Sequence, residues 1–221
     1  GDVAGIVYPI YIEGQPKYEV MREFFAYLGD GLRRFRPELI LSADLFGYVA
    51  LQRADLGIGQ RLEDIGENFD YISLMVYPSH YYSGFQVPAD PERELTELYF
   101  PYRSRDISEV AASHPYEVVN RSLIIARNML DRGLATTSPN LAGANPISTT
   151  STIEKKSKAK LRPWLQDFDL GVDSSRGINY DAKKVRAQID AAEAAGASGW
   201  LIWNANNVYT REAFLPKGDK K

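Results

Sequence analysis

Apolar positions along the chain alternate between helical and strand-like periods. In residues 17 to 35 (KYEVMREFFAYLGDGLRRF), Val20, Phe24, Tyr27, Leu28 and Leu32 recur at helical spacing, which predicts an amphipathic helix ended near Pro37. Leu39 to Leu45 (LILSADL) is short, apolar and bounded by Gly47, the pattern of a strand covered on both faces. Residues 60 to 68 predict a short helix, and Asp70 to Tyr77 (DYISLMVY) a second strand closed by Pro78. From Ser79 to Ser113 the chain carries Pro88, Pro91 and Pro101, which marks a large excursion rather than a linker. Pro115 then opens a helix to Arg132, with Val118, Val119, Leu123, Ile124 and Met129 on its buried side. Residues 135 to 160, rich in Ser, Thr, Asn and Lys, read as a flexible insertion. Leu161 to Phe168 (LRPWLQDF) predicts a third strand, against which Pro163 counts because it lacks an N–H. Tyr180 to Ala195 is an Ala-rich helix, Gly199 to Asn204 (GWLIWN) a fourth strand, and 208 to 215 the start of a terminal helix.

Strands and helices in strict alternation predict an α/β fold, a parallel sheet covered by helices. A complete eightfold barrel takes about 250 residues. This chain of 221 residues shows four βα units, two long loops and no internal repeat, so the expectation is a single partial domain over 1–221, part of a longer protein.

Composition narrows the chemistry. No run of eighteen apolar residues and no basic, then apolar, leader occurs, so neither a membrane span nor a retained signal peptide is expected. With 26 Lys plus Arg against 29 Asp plus Glu, the net charge of -3 offers no basic field for nucleic acid. No Cys and only two His, His80 and His114, leave little for a metal centre and exclude thiol chemistry. The reading calls for no cofactor: chemistry falls to carboxylates, hydroxyls and amides. Against this background the 14 Tyr and 3 Trp stand out. Their apolar faces and polar edges suit sugar rings, although such residues also serve as ordinary core and loop anchors.

Functional groups of parallel α/β folds gather where strands end. The first strand ends in Ser42-Ala43-Asp44, where Asp44 shares the parity of Ser42 and Ile40. The second ends in Tyr77-Pro78-Ser79-His80-Tyr81, the third in Trp164-Leu165-Gln166-Asp167, and the fourth in Trp203-Asn204. Each of these residues also has an ordinary use: Asp and Asn form turns and caps, and a loop His bonds the backbone. Only one of Gln166 and Asp167 can share the inward parity of its strand, and Trp200 and Trp203, three apart, cannot share a face.

The blocks SADLFG (Ser42 to Gly47), DLGIGQRLEDI (Asp55 to Ile65), DYISLMVYPSHY (Asp70 to Tyr81), HPYEVV (His114 to Val119), RPWLQDF (Arg162 to Phe168) and GWLIWNANNVYT (Gly199 to Thr210) resemble a bacterial family known as the "putative glycosyl hydrolase domain". The resemblance implies a (β/α)8 TIM barrel of which this chain supplies the last four βα units, a half barrel. It also implies glycoside hydrolysis by an acid and a second carboxylate. Family members carry an earlier strand with a pattern like FDYxRFP, whose Asp is a natural catalytic candidate; here Gly1 to Pro16 would follow it, placing that carboxylate upstream of residue 1. Asp44 is then the expected general acid/base or the partner of the upstream Asp, with Asp167 as the alternative. Tyr77 and His80 are expected to bond substrate hydroxyls or orient a carboxylate. Trp164 or Trp203 would form a stacking platform, and Gln166 and Asn204 would bond the sugar.

The expected function is cleavage of a polysaccharide, with a noncatalytic carbohydrate-binding or scaffolding barrel as the alternative. A nucleotide-using barrel is disfavoured, because Gly57 and Gly59 of DLGIGQ make only a lone GxG without βα context. The resemblance leans towards an extracellular or cell-envelope location. An exposed edge strand and uncovered sheet face also predict self-association of the half barrel.

Overall fold

The computed structural model describes residues 14–51, 55–81, 84–101, 104–132 and 157–215. Its centre is a parallel sheet formed by β1 (Ser42–Phe46), β2 (Tyr71–Val76), β5 (Lys160–Leu161), β6 (Trp164–Gln166) and β7 (Leu201–Trp203). The strands lie in the order β1-β2-β6-β7, with β5 also paired to β2. Neighbours in space therefore follow chain order, with the long helices α3 (Pro115–Arg132) and α5 (Ala182–Ala194) in the crossovers. The protein has a mixed α/β fold with a parallel sheet.

β5 and β6 are two parts of the predicted third strand. Both pair with β2, and the interruption falls at Arg162-Pro163, where proline has no N–H for the ladder. Backbone pairing nonetheless spans the break: Arg162 N donates to Ile72 O (3.0 Å) and Pro163 O accepts from Leu201 N (2.8 Å).

The core lies on one face of the sheet. Leu45, Ile72, Leu74, Val76 and Leu165 pack there against Val118, Val119, Leu123 and Leu130 of α3 and Val185 and Ile189 of α5. Strand β1 alternates strictly: Ala43 and Leu45 are buried while Ser42, Asp44 and Phe46 are exposed. The expectation of a strand covered on both faces is thus corrected, because among the described residues helices cover only one side of β1.

Helix α1 (Lys17–Phe35) has the predicted span but a different buried side. Val20, Phe24 and Tyr27 are exposed, whereas Phe25 meets the edge of Phe69 at 5.4 Å. Gly29 explains the rotation. A Cβ there would lie 3.3 Å from the carbonyl oxygen of Asn68, so its bare backbone lets the helix sit on that turn, where Arg33 Nη1 donates to the same oxygen (2.9 Å).

The excursion after β2 folds on itself. It carries a 3₁₀ turn (Pro78–His80) and an antiparallel hairpin, β3 (Phe85–Val87) with β4 (Leu98–Phe100). Tyr81, Phe85, Phe100 and His114 form a continuous ladder of rings with neighbouring centroids 4.7 to 5.8 Å apart. Arg121 of α3, itself buried, donates to the carbonyls of Thr96 (2.7 Å) and Pro88 (2.6 Å) and ties the hairpin to the helix. The predicted helix at 60 to 68 is the shorter α2 (Leu62–Ile65), and the terminal one is a 3₁₀ turn, Arg211–Phe214. A short helix, α4 (Gly171–Ser174), follows β6. Of the insertion expected at 135 to 160, only 157 to 160 belong to the described residues. No described helix is long and apolar enough to cross a membrane.

Candidate active site

Strand register gathers the first group of candidates on the open face of the sheet. Asp44 stands beside Ser73 across the β1-β2 ladder, and Trp164 beside Met75 across β2-β6. The Trp164 indole reaches over β2, and its Nε1 donates to Asp44 Oδ1 at 3.1 Å. No other hydrogen bond to the Asp44 carboxylate occurs among the described residues. Trp203, 46% exposed at the end of β7, meets Trp164 edge to face at 6.0 Å. Trp200 turns to the opposite side and stacks on Phe214, as its spacing from Trp203 required. A carboxylate and two indoles thus share one open surface.

Tyr77 and His80 flank this surface at the end of β2. Burial holds the Tyr77 hydroxyl above the ordinary phenol range, and the negative charge of Asp44 pushes it further the same way. Tyr77 is therefore a neutral donor and acceptor close to the carboxylate. His80 keeps an edge to solvent while its ring packs against Tyr77 (5.3 Å) and Phe168 (5.7 Å). That packing lowers its pKa below the usual imidazole value, and the charge of Asp173 opposes the shift. The imidazole is accordingly neutral near pH 7.

Gln166 and Asp167, both buried, and the half-buried Asn204 form a second group. Gln166 has the strand parity of Trp164, yet its side chain is fully buried. Its Nε2 donates to Ser79 Oγ and Phe168 O, both at 2.8 Å, and its Oε1 accepts from Ser79 N at 3.1 Å. Asp167 accepts from both the backbone N–H (2.8 Å) and the hydroxyl (2.7 Å) of Thr210. Asn204 donates through Nδ2 to Asp167 O and accepts from Asn206 N (2.8 Å). These three side chains fix the loops after β2, β6 and β7.

Sequence reasoning missed Gln188, Asp173 and Thr210, and named Ser79 at its strand end without giving it a role. Gln188 had a readable signal: it falls with Val185, Ile189 and Ala192 on the apolar stripe of α5, where a polar residue needs a partner. It finds one in the Gln166 backbone, donating to its carbonyl (2.7 Å) and accepting from its N–H (2.9 Å). Asp173 lies in the one-turn helix α4 and Thr210 in an irregular segment, neither long enough to show a periodicity that would mark them.

Residues 2–209 match the model of a family described as "Putative glycosyl hydrolase domain". No curated protein matches the chain. Among solved structures, the glycoside hydrolase domain of PgaB (BpsB) from Bordetella bronchiseptica is similar over 85% of this chain, at 13% identity and a TM-score of 0.45. The chain spans 37% of that solved chain.

Proposed function

This chain belongs to the family of the "Putative glycosyl hydrolase domain", and on that premise we propose that it is part of a glycoside hydrolase acting on a polysaccharide. Its parallel sheet, in sequential strand order with one face open, is on this reading the arc formed by the last four βα units of a TIM barrel. Catalysis centres on Asp44. Of the two aspartates considered, Asp167 has both oxygens engaged by Thr210, whereas Asp44 is exposed on the open face with a single indole donor. That contrast carries the assignment. Asp44 acts as general acid/base or as the partner of a second carboxylate, and Asp167 positions the loop after β7.

The remaining roles follow from placement. Trp203 and Trp164 form the platform for a sugar face, Tyr77 and the neutral His80 bond its hydroxyls, and Gln166 and Asn204 hold the surrounding loops rather than the substrate. A glycan-binding barrel without catalysis would use the same indoles, so activity distinguishes the two readings. Release of new reducing ends from a polysaccharide panel is the expected result. Glycan binding without cleavage of any polymer would favour the noncatalytic reading. The open face and the edge of β1, unpaired among the described residues, make self-association of this chain the expected state in sedimentation experiments.

A further inference from the structure

A cavity lies beside the open surface, built by the loops that follow the C-terminal ends of β2 and β6. Its volume is about 210 Å³. A water occupies about 30 Å³ of liquid, so this is room for a ring-sized ligand rather than for one bound water. Pro78, Pro101 and Val172 give it apolar walls, and Asp173 and Arg176 bring opposite charges to its lining.

Those charges are not spent on each other. Asp173 is only 4% exposed, and its Oδ2 is buried with no hydrogen-bond partner among the described residues. Arg176 bonds Asp173 through its backbone, N to O at 2.9 Å, and no ion pair joins the two side chains. Leaving a carboxylate buried and unpaired is costly, so such a group normally answers a ligand or solvent donor. An acceptor-only carboxylate and a donor-only guanidinium between apolar walls match the alternating hydroxyls and C–H faces of a sugar. Position agrees, since ligands of parallel α/β folds bind outside the carboxyl ends of the strands.

We propose that this cavity is a subsite for a single sugar residue, whose hydroxyls donate to Asp173 and accept from Arg176. The proposal rests on the glycan-directed reading above and adds to it a binding position separate from the Asp44 surface. His80 touches Tyr77 and lies close enough to Asp173 to feel its charge, and its neighbours Ser79 and Tyr81 line the cavity.

The test is ligand-observed saturation-transfer NMR with methyl glycosides of glucose, galactose, mannose and N-acetylglucosamine, on the wild type and on Asp173→Asn, Arg176→Gln and Trp203→Ala. At least one glycoside is expected to bind, with affinity reduced tenfold or more by Asp173→Asn and by Arg176→Gln; in Trp203→Ala, which removes only what the open-face indoles bind, the Asp173-dependent binding should persist. Asp173→Asn should also melt no lower than the wild type, because it removes an unpaired buried charge; a lower melting temperature would mark Asp173 as structural and overturn the proposal. Binding that survives Asp173→Asn but fails in Trp203→Ala would place the sugar on the open face alone and also overturn it. Loss in both variants would mean one continuous site, and no binding of any glycoside would mean no subsite. Binding that follows the expected pattern without cleavage of any polymer would leave the subsite standing and remove only the hydrolase reading.

Discussion

Gln166→Ala should be the most damaging single change near the site, although Gln166 touches none of the exposed candidates. The wild-type amide, itself fully buried, makes three hydrogen bonds, to Ser79 N, Ser79 Oγ and Phe168 O. At a net value of about 0.5–1.5 kcal/mol each, they contribute about 1.5–4.5 kcal/mol. The same substitution also strands an N–H and a carbonyl and opens a cavity, which lifts the expected loss to the top of that range or just above it, about 3–5 kcal/mol. A domain holds only about 5–15 kcal/mol in all, so the urea midpoint should fall steeply. Ser79→Ala removes one of the three bonds and should cost about 1 kcal/mol. The assay is urea unfolding followed by tryptophan fluorescence. A Gln166→Ala midpoint equivalent to less than about 1 kcal/mol of destabilisation would show that water satisfies these groups, and would refute the view that Gln166 locks the Tyr77–His80 loop.

Three further changes follow from the geometry. Asp167→Asn loses one of two charge-assisted bonds to Thr210 and should destabilise the protein by about 1.5–3 kcal/mol in urea unfolding; an unchanged midpoint contradicts the loop-positioning role. Gly47→Ala would set a Cβ 2.6 Å from the Met75 carbonyl oxygen and against the Tyr81 hydroxyl. Overpacking of that kind costs about 1–3 kcal/mol, to be read as a lowered melting temperature. Tyr77, Tyr81 and Tyr180 all have hydroxyls pushed up chiefly by burial. The folded state therefore keeps protons that the unfolded state gives up near pH 10, so stability is full below that pH and falls as pH rises above it. Ultraviolet titration should show these three among the 14 tyrosines ionising late and together with unfolding; their titration near pH 10 in folded protein would contradict this.

Much of the fold was legible because its signals are local. The spans of α1 and α3 follow from helical spacing and from Pro115 at the first turn, and Pro163 marked the weak point of the third strand. What stayed hidden depends on neighbours distant in sequence. The apolar positions of α1 gave its period but not which side faces the sheet, since Gly29 and the Asn68 carbonyl decide that. Parity grouped Asp44 with Ser42 and Ile40, yet the indole that bonds it comes from Trp164, brought alongside by the register of two ladders. Parity aimed Gln166 at the open face, but at a strand end a long side chain can turn back, and Ser79 and Phe168 draw it into the interior. Asp173 sits in a short helix with no pattern to betray it.

Reducing-end release by the protein and by its Asp44→Asn variant, on any polysaccharide the wild type cleaves, tests the central claim most directly. Loss of a general acid/base predicts a fall in rate of about 10²–10⁴-fold with an unchanged melting temperature, since Asp44 is exposed. Cleavage by Asp44→Asn at the wild-type rate would contradict the assignment of Asp44 as the catalytic carboxylate.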